Sequence, residues 1–257
     1  MFIKTSSVSK AWLAAVAACV THKGNEVLPL VVDLCGFEDR PEEDIATRAM
    51  ADESLARTGN KRIDTTASLI FPERSWLYHR DKGAKAFFEY YRQVYFPRLK
   101  DADPLNARGT YFQRMVCYGE SNDDQLSNLL DAYRSGLRRR SAFQLVIYDP
   151  RKDHSLSKRL GFPCLDYVAF SPNKNGTLSL TAMYAMQYIY DRSYGNYLGL
   201  CALGRFIASE LGLTFNRLTC VAAVGKLGSI DRKTGQLLVS HLGPPIANQI
   251  EGDGIVV

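Results

Sequence analysis

The feature that most constrains this chain is the order of three apolar segments in its second half. Residues 177–190 read as a long, mostly apolar strand. Residues 196–211 follow as a helix with an apolar face, and residues 218–224 read as one further strand. A long strand, a covering helix and a return strand require a sheet with helices laid on it. The rest of the chain adds strands more often than crossover helices. Residues 27–35 (VLPLVVDLC) read as a strand, with Pro29 placing it near an edge or a strand start. Residues 65–71 (TTASLIF), 143–148 (FQLVIY) and 165–170 read as strands too, and Asn173 to Gly176 as a turn. Ser9 to Val20, 40–57, Ala84 to Tyr95 and Asp123 to Tyr133 read as helices, the third ended by Pro97 and the last followed by Gly136. Residues 100–109 read as a loop. The expected class is α+β, a mixed β-sheet with flanking helices, in one domain over residues 1–257.

A chain of 257 residues buries a core without staples. Its 46% apolar and 23% charged composition is that of a globular domain. No apolar run reaches the roughly 18–20 residues of a membrane span. Ala11 to Val20 has no cleavage site and runs into Thr21-His22-Lys23-Gly24, so it reads as a helix rather than a signal peptide. A cytoplasmic location is expected. The six cysteines (Cys19, Cys35, Cys117, Cys164, Cys201, Cys220) are far apart, and no pair has metal-ligand spacing. The net charge of +5 is mild and partly local, in Arg138-Arg139-Arg140 and Arg151-Lys152. It fits a small phosphorylated ligand as well as nucleic acid, and no basic-aromatic pattern of a nucleic-acid binder is present.

Three stretches carry a more specific signal. Asp124-Gln125-Leu126 opens a helix that leads to the arginine cluster and a strand. Tyr148-Asp149-Pro150-Arg151-Lys152-Asp153 precedes Pro163-Cys164-Leu165. Asn196-Tyr197-Leu198-Gly199-Leu200 opens a long helix after a long strand. Tyr111-Phe112-Gln113-Arg114 is a weaker fourth. In this order they resemble the thymidylate synthase superfamily over roughly residues 105–225.

The resemblance implies a thymidylate synthase-like fold, a homodimer packed through its sheets, and transfer of a one-carbon group from methylene-tetrahydrofolate to C5 of a pyrimidine nucleotide. Cys164 stands at the nucleophile position, where a thiolate adds to C6 of the base. Lys158, Arg159 and the arginine cluster would supply the positive neighbours such a thiol needs. Read alone, a Pro-Cys-Leu entering a strand is a buried core cysteine. Asn196 stands where the family reads the base edge. Its carboxamide donates to O4 and accepts from N3–H of uracil; read alone, it is a helix N-cap. Arg138, Arg139 and Arg140 lie near the family's paired phosphate arginines, and read alone they are a solvated helix end. Tyr111, Arg114 and Tyr188 complete the expected substrate-binding set.

The chain also departs from the family. Where the long strand of the family carries Arg-Ser-x-Asp, this one has Ala185, Met186, Gln187 and Tyr188. Arg192, in Asp191-Arg192-Ser193, is nearby, but a shift of seven residues breaks the spacing to Asn196. A His-x-Tyr that contacts the sugar is replaced by Val224-Gly225-Lys226-Leu227. Glu89 and Glu120 are the candidates for the general acid/base. One charge-assisted phosphate contact contributes about 1.5–3 kcal/mol. Loss of two or three therefore weakens nucleotide binding roughly a thousandfold or more. The alternative expectation is a catalytically silent homologue, acting as a nucleotide-sensing or scaffolding dimer.

Overall fold

Helix α1 (Val8–Thr21) is the centre of the molecule because it is apolar on nearly every side. In the computed structural model, which describes residues 1–154 and 163–242, it follows a short strand, β1 (Phe2–Thr5). The Ser7 hydroxyl caps it by accepting from the Lys10 amide. Strands β2 (Glu26–Val27) and β3 (Leu30–Cys35) are parted at Leu28-Pro29. Six short helices come next: α2 (Ile45–Arg57), α3 (Ile63–Ile70), α4 (Glu73–His79), α5 (Ala84–Tyr90), α6 (Phe96–Ala102) and α7 (Tyr111–Val116). Helix α8 (Gln125–Arg134), strand β4 (Gln144–Val146) and the single turn α9 (Pro150–Asp153) lead to β5 (Leu165–Pro172) and β6 (Thr177–Tyr188). The π-helical turn Ile189–Ser193 feeds α10 (Tyr194–Glu210), and β7 (Thr214–Lys226) and α11 (Arg232–Leu242) follow.

The seven strands form one mixed sheet in the order β1-β3-β7-β6-β5-β4, with β2 also paired to β7. The β1/β3 and β6/β7 pairs are parallel, and α1 and α10 are their crossovers. The other pairs are antiparallel. Alternation along the strands separates two faces. Leu178, Leu180, Ala182 and Tyr184 of β6, with Leu218, Cys220 and Ala222 of β7, are buried beneath the helices. Thr181 and Met183 of β6, with Thr219 and Val221 of β7, stay half-exposed on the other face, and Ala185 and Ala223 are exposed. The expected class, α+β with a mixed sheet, is what the structure has.

Three element expectations need correction. Residues 65–71 are not a strand: Ile63 to Ile70 is helix α3. Its β-branched composition suggested extended chain, but Ile63, Thr66 and Ile70 are buried at helical spacing. They pack on α10 at Gly195 and Gly199, where a Cβ would lie 2.6 Å from Thr66 Cβ and 2.6 Å from the Ala67 carbonyl. Pro97 does not end the aromatic helix. The π-helical turn Tyr91–Tyr95 carries it into α6, whose first turn accommodates the proline. The expected loop over 100–109 is the end of α6 and a 3₁₀ turn, Pro104–Arg108.

Candidate functional site

Cys164 sits at the head of β5, beside an irregularity in the sheet. Leu165 pairs with Tyr184 and Tyr167 with Met183, so Asp166 is an extra residue in β5. Both the Ile147 and Tyr148 amides donate to the Asp166 carbonyl, at 2.8 and 3.1 Å. The Ala185 amide donates to the Cys164 carbonyl at 3.0 Å. The bulge thereby holds Cys164 half-buried at the sheet rim. Burial pushes its thiol above the ordinary range, and the Asp166 carboxylate pushes the same way; the Arg192 guanidinium pulls it down.

Tyr111 reaches this thiol from the first turn of α7. Thr110 fixes that turn: its hydroxyl accepts from the Gln113 amide at 3.1 Å and lies 2.7 Å from the Tyr91 hydroxyl. Cys164 and Arg192 act on this phenol with opposite sign, the thiol raising its pKa and the guanidinium lowering it. Burial raises this phenol well above its usual value, so it stays protonated at neutral pH.

Arg192 is the cation the sequence reading set aside. It stands on the π-helical turn between β6 and α10, and that turn is fastened on several sides. Trp12 Nε1 donates to the Ile189 carbonyl at 3.1 Å, and the Ser193 hydroxyl donates to the same oxygen at 2.7 Å. The Tyr190 amide donates to the Leu227 carbonyl at 2.9 Å. Asp191 accepts from the Ser229 amide and hydroxyl, at 3.1 and 2.7 Å. Arg192 faces α3, with Nη1 3.5 Å from Thr66 Oγ1. Its charge is felt by Cys164, by Tyr111 and by Asp103, which is paired with Lys61 at 2.5 Å. Arg192 thus lies on the turn that follows β6 and not in the strand. Its position four residues before Asn196, one helical turn, was the signal in the sequence.

Asn196 is the third residue of α10, not its cap. It is 4% exposed, and the helix is entered through Ser193 instead. Capping therefore does not account for it. Deeper in the core, the Tyr197 hydroxyl donates to Gln187 Oε1 at 3.4 Å and Gln187 Nε2 lies 3.9 Å from Cys220 Sγ. Gln187 is thus part of the interior.

Other expected site residues lie elsewhere. Arg114 is buried, and its guanidinium is fully engaged: it grips Asp153 with both terminal nitrogens and donates to the Ile147 and Arg108 carbonyls at 3.0 Å. That corrects the expected substrate contact to a structural one. Arg138 caps its own helix end, donating to the Tyr133 carbonyl at 2.7 Å with its guanidinium 4.0 Å above the Tyr133 ring. Arg139 Nε donates to the Ser141 hydroxyl, and Arg139 and Arg140 are exposed. Tyr188 is opposite Lys226, which pairs with Glu26. Glu89 is occupied by Arg92 and Gln93 on a helix surface, and Glu120 is exposed in a turn. Lys158 and Arg159 lie outside the described residues. Asp166 and Tyr184 were not anticipated; nothing in a linear reading marks a bulge or a buried hydroxyl.

No group of three or more His, Cys, Asp or Glu side chains able to hold a metal is found among the described residues. No helix among them is long and apolar enough to cross a membrane. No protein-family model matches the chain, and no curated protein matches it.

The charges around Cys164 make a pH prediction. Alkylation of Cys164 should rise with pH through a midpoint above the ordinary thiol value of about 8.5. Asp166→Asn should move the midpoint down and Arg192→Ala should move it up, in pH–rate profiles followed at the Cys164 peptide. Midpoints that stay in place would remove both groups from the thiol's surroundings.

Proposed function

We propose that this chain is a divergent thymidylate synthase-like protein that binds a uracil-type pyrimidine against Cys164 and works as a homodimer. The observation that carries the reading is convergence. The Cys164 thiol, the Tyr111 hydroxyl and the Arg192 guanidinium, carried on three separate elements, act electrostatically on one another. One turn beyond Arg192 is the buried carboxamide of Asn196, which does not cap its helix. A carboxamide offers one donor and one acceptor face, which matches O4 and N3–H of uracil.

The phosphate side is poor. Ala185, Met186 and Tyr188 offer the family's phosphate no charge, and Arg192 is the cation placed at the thiol. A nucleoside suits such a site better than a nucleotide, unless Arg139 and Arg140 of a second copy complete it. The half-exposed outer face of the sheet, with Thr181, Met183, Thr219 and Val221, is the surface a second copy would cover. Addition of the thiol to C6 needs its proton to leave, and Asp166 is the acceptor at hand.

The fit to a folate is weaker. The cavity of about 410 Å³ beside α3, α4 and α10 is walled by Arg48, Arg205, Glu43, Asp64 and Glu73 and includes neither Cys164, Tyr111, Arg192 nor Asn196. No step is therefore routed through methylene-tetrahydrofolate. The raised thiol also favours a second reading, a homologue that binds its ligand without turnover.

Thermal unfolding against pyrimidine nucleosides, nucleotides and a reduced folate tests the proposal. A ligand at one hundred times its dissociation constant adds about 2.7 kcal/mol. The expected result is a shift with a uracil nucleoside that is absent in Cys164→Ala/Asn196→Ala. No shift with any pyrimidine would overturn the reading.

A further inference from the structure

The cavity of about 410 Å³ beside α3, α4 and α10 is lined by none of the residues assigned to the pyrimidine. Its volume is that of a small-molecule site, which runs from about 300 to 1,000 Å³. Leu198 and Ala202, one turn apart on α10, line it together with Phe71 and Pro72 and make part of the wall apolar. The rest is charged, in two separate ion-pair groups. In the first, Arg205, a further turn along α10, pairs with Glu73, and Arg40 Nη2 lies 3.8 Å from the same Glu73 oxygen. In the second, Arg48 donates to both oxygens of Glu43, at 3.1 and 2.9 Å, and pairs with Asp64; Arg74 donates to the other Asp64 oxygen at 3.1 Å. Glu73 and Asp64 are thus each shared by two guanidiniums. The Arg205 side chain is 12% exposed and that of Arg48 29%, so both charges are largely withdrawn from water and depend on their partners.

We infer that this cavity binds a free α-amino acid with an apolar side chain, its carboxylate on Arg205, its ammonium on Glu73 and its side chain on Leu198, Ala202 and Phe71. A lone anion entering the cavity meets the carboxylates of Glu43, Asp64 and Glu73, and a lone cation meets four guanidiniums. A ligand that carries both signs avoids either conflict. It can open the Arg205–Glu73 pair and replace it with two pairs, leaving no half-buried charge without a partner. The two charges of an α-amino acid are adjacent, as those of Arg205 and Glu73 are. A guanidinium fork takes a carboxylate through two parallel hydrogen bonds. An apolar side chain then removes the apolar wall from water. The inference goes beyond the proposed function and does not rest on it: the cavity is a different one, and neither Cys164 nor a pyrimidine enters the argument.

Calorimetric titration of the full chain tests this with L-phenylalanine and L-leucine as probes. Two relatives of the first carry one charge each: 3-phenylpropionate lacks the ammonium and 2-phenylethylamine lacks the carboxylate. Saturable binding of at least one amino acid at millimolar concentration is expected. Both one-charge relatives should bind about tenfold or more weaker than L-phenylalanine, the effect of losing one charge-assisted hydrogen bond. Two variants place the site. Arg205→Gln removes the guanidinium and should weaken binding about tenfold or more. Ala202→Leu keeps every charged group and occupies the apolar wall, so it should weaken binding without disturbing the ion pairs; it carries the test where Arg205→Gln fails to fold. No heat with either amino acid, equal binding of L-phenylalanine and its one-charge relatives, or unchanged affinity in Ala202→Leu would each overturn the inference.

Discussion

Arg114→Ala is expected to lower the unfolding free energy by about 3–5 kcal/mol, the usual cost of breaking a buried ion pair on one side. The Arg114 side chain is 7% exposed and that of Asp153 1%. Their pairing is bidentate, with Nη2 to Oδ1 at 2.8 Å, and the Asp149 amide adds a further donor to Asp153 at 2.8 Å. Without the guanidinium, the Asp153 carboxylate is left buried with backbone donors only. The pair also makes a pH prediction. The Arg114 and Asp149 donors hold the Asp153 carboxyl below its usual range, against the opposing effect of burial. A depressed carboxyl contributes stability that is complete above its unfolded pKa, about 3.9, and is lost as pH falls through the folded value. Wild type should therefore lose more stability than Arg114→Ala between pH 6 and the acid limit in urea titrations. Equal acid sensitivity would show that the pair does not hold the carboxyl down. The pair also ties α7, which carries Tyr111, to the α9 turn upstream of Cys164, so the variant should also change the reactivity of Cys164.

Trp12→Ala is expected to cost a similar amount, about 3–5 kcal/mol, with an unchanged denaturant slope. Trp12 is fully buried. Its ring centroid lies 5.6 Å from that of Tyr194 and 6.4 Å from that of Tyr190. Its N–H holds the Ile189 carbonyl on the turn that presents Arg192. Trp12→Phe separates packing from that hydrogen bond. It should cost about 1 kcal/mol for the lost bond and move the Cys164 titration midpoint upward if Arg192 withdraws. An alanine variant within about 1 kcal/mol of wild type would mean that the core around α1 is not packed as described.

Legibility in the sequence followed where the physics is local. Helix α1 and strands β5, β6 and β7 could be read because their apolar residues alone state their burial. Helix α3 could not. Thr-Thr-Ala-Ser-Leu-Ile-Phe favours a strand locally, and the surface that makes it helical, Gly195 and Gly199, belongs to α10. Thr66 and Arg192, which meet there, are 126 residues apart. Arg114 resembled a ligand contact because its partner Asp153, 39 residues away, could not be paired with it by inspection. Arg192 was discounted because linear spacing carries no information about a π-helical turn. The same turn starts α10 at Tyr194, which takes Asn196 out of the capping position. Cys164 and Tyr111, both expected at the site, act on each other electrostatically from β5 and α7. Arg138 was legible in its plainer sense, a cation closing a helix C-terminus.

On the proposed reading, Asn196 and Arg192 address one ligand beside Cys164. Calorimetric titration of uridine into wild type, Asn196→Ala and Arg192→Ala tests it most directly. Saturable binding to wild type is expected, with a loss of about tenfold or more in Asn196→Ala, since a buried carboxamide pair contributes at least one hydrogen bond. A smaller loss is expected in Arg192→Ala. Equal affinity in all three proteins, or no heat of binding to wild type at millimolar uridine, would contradict it.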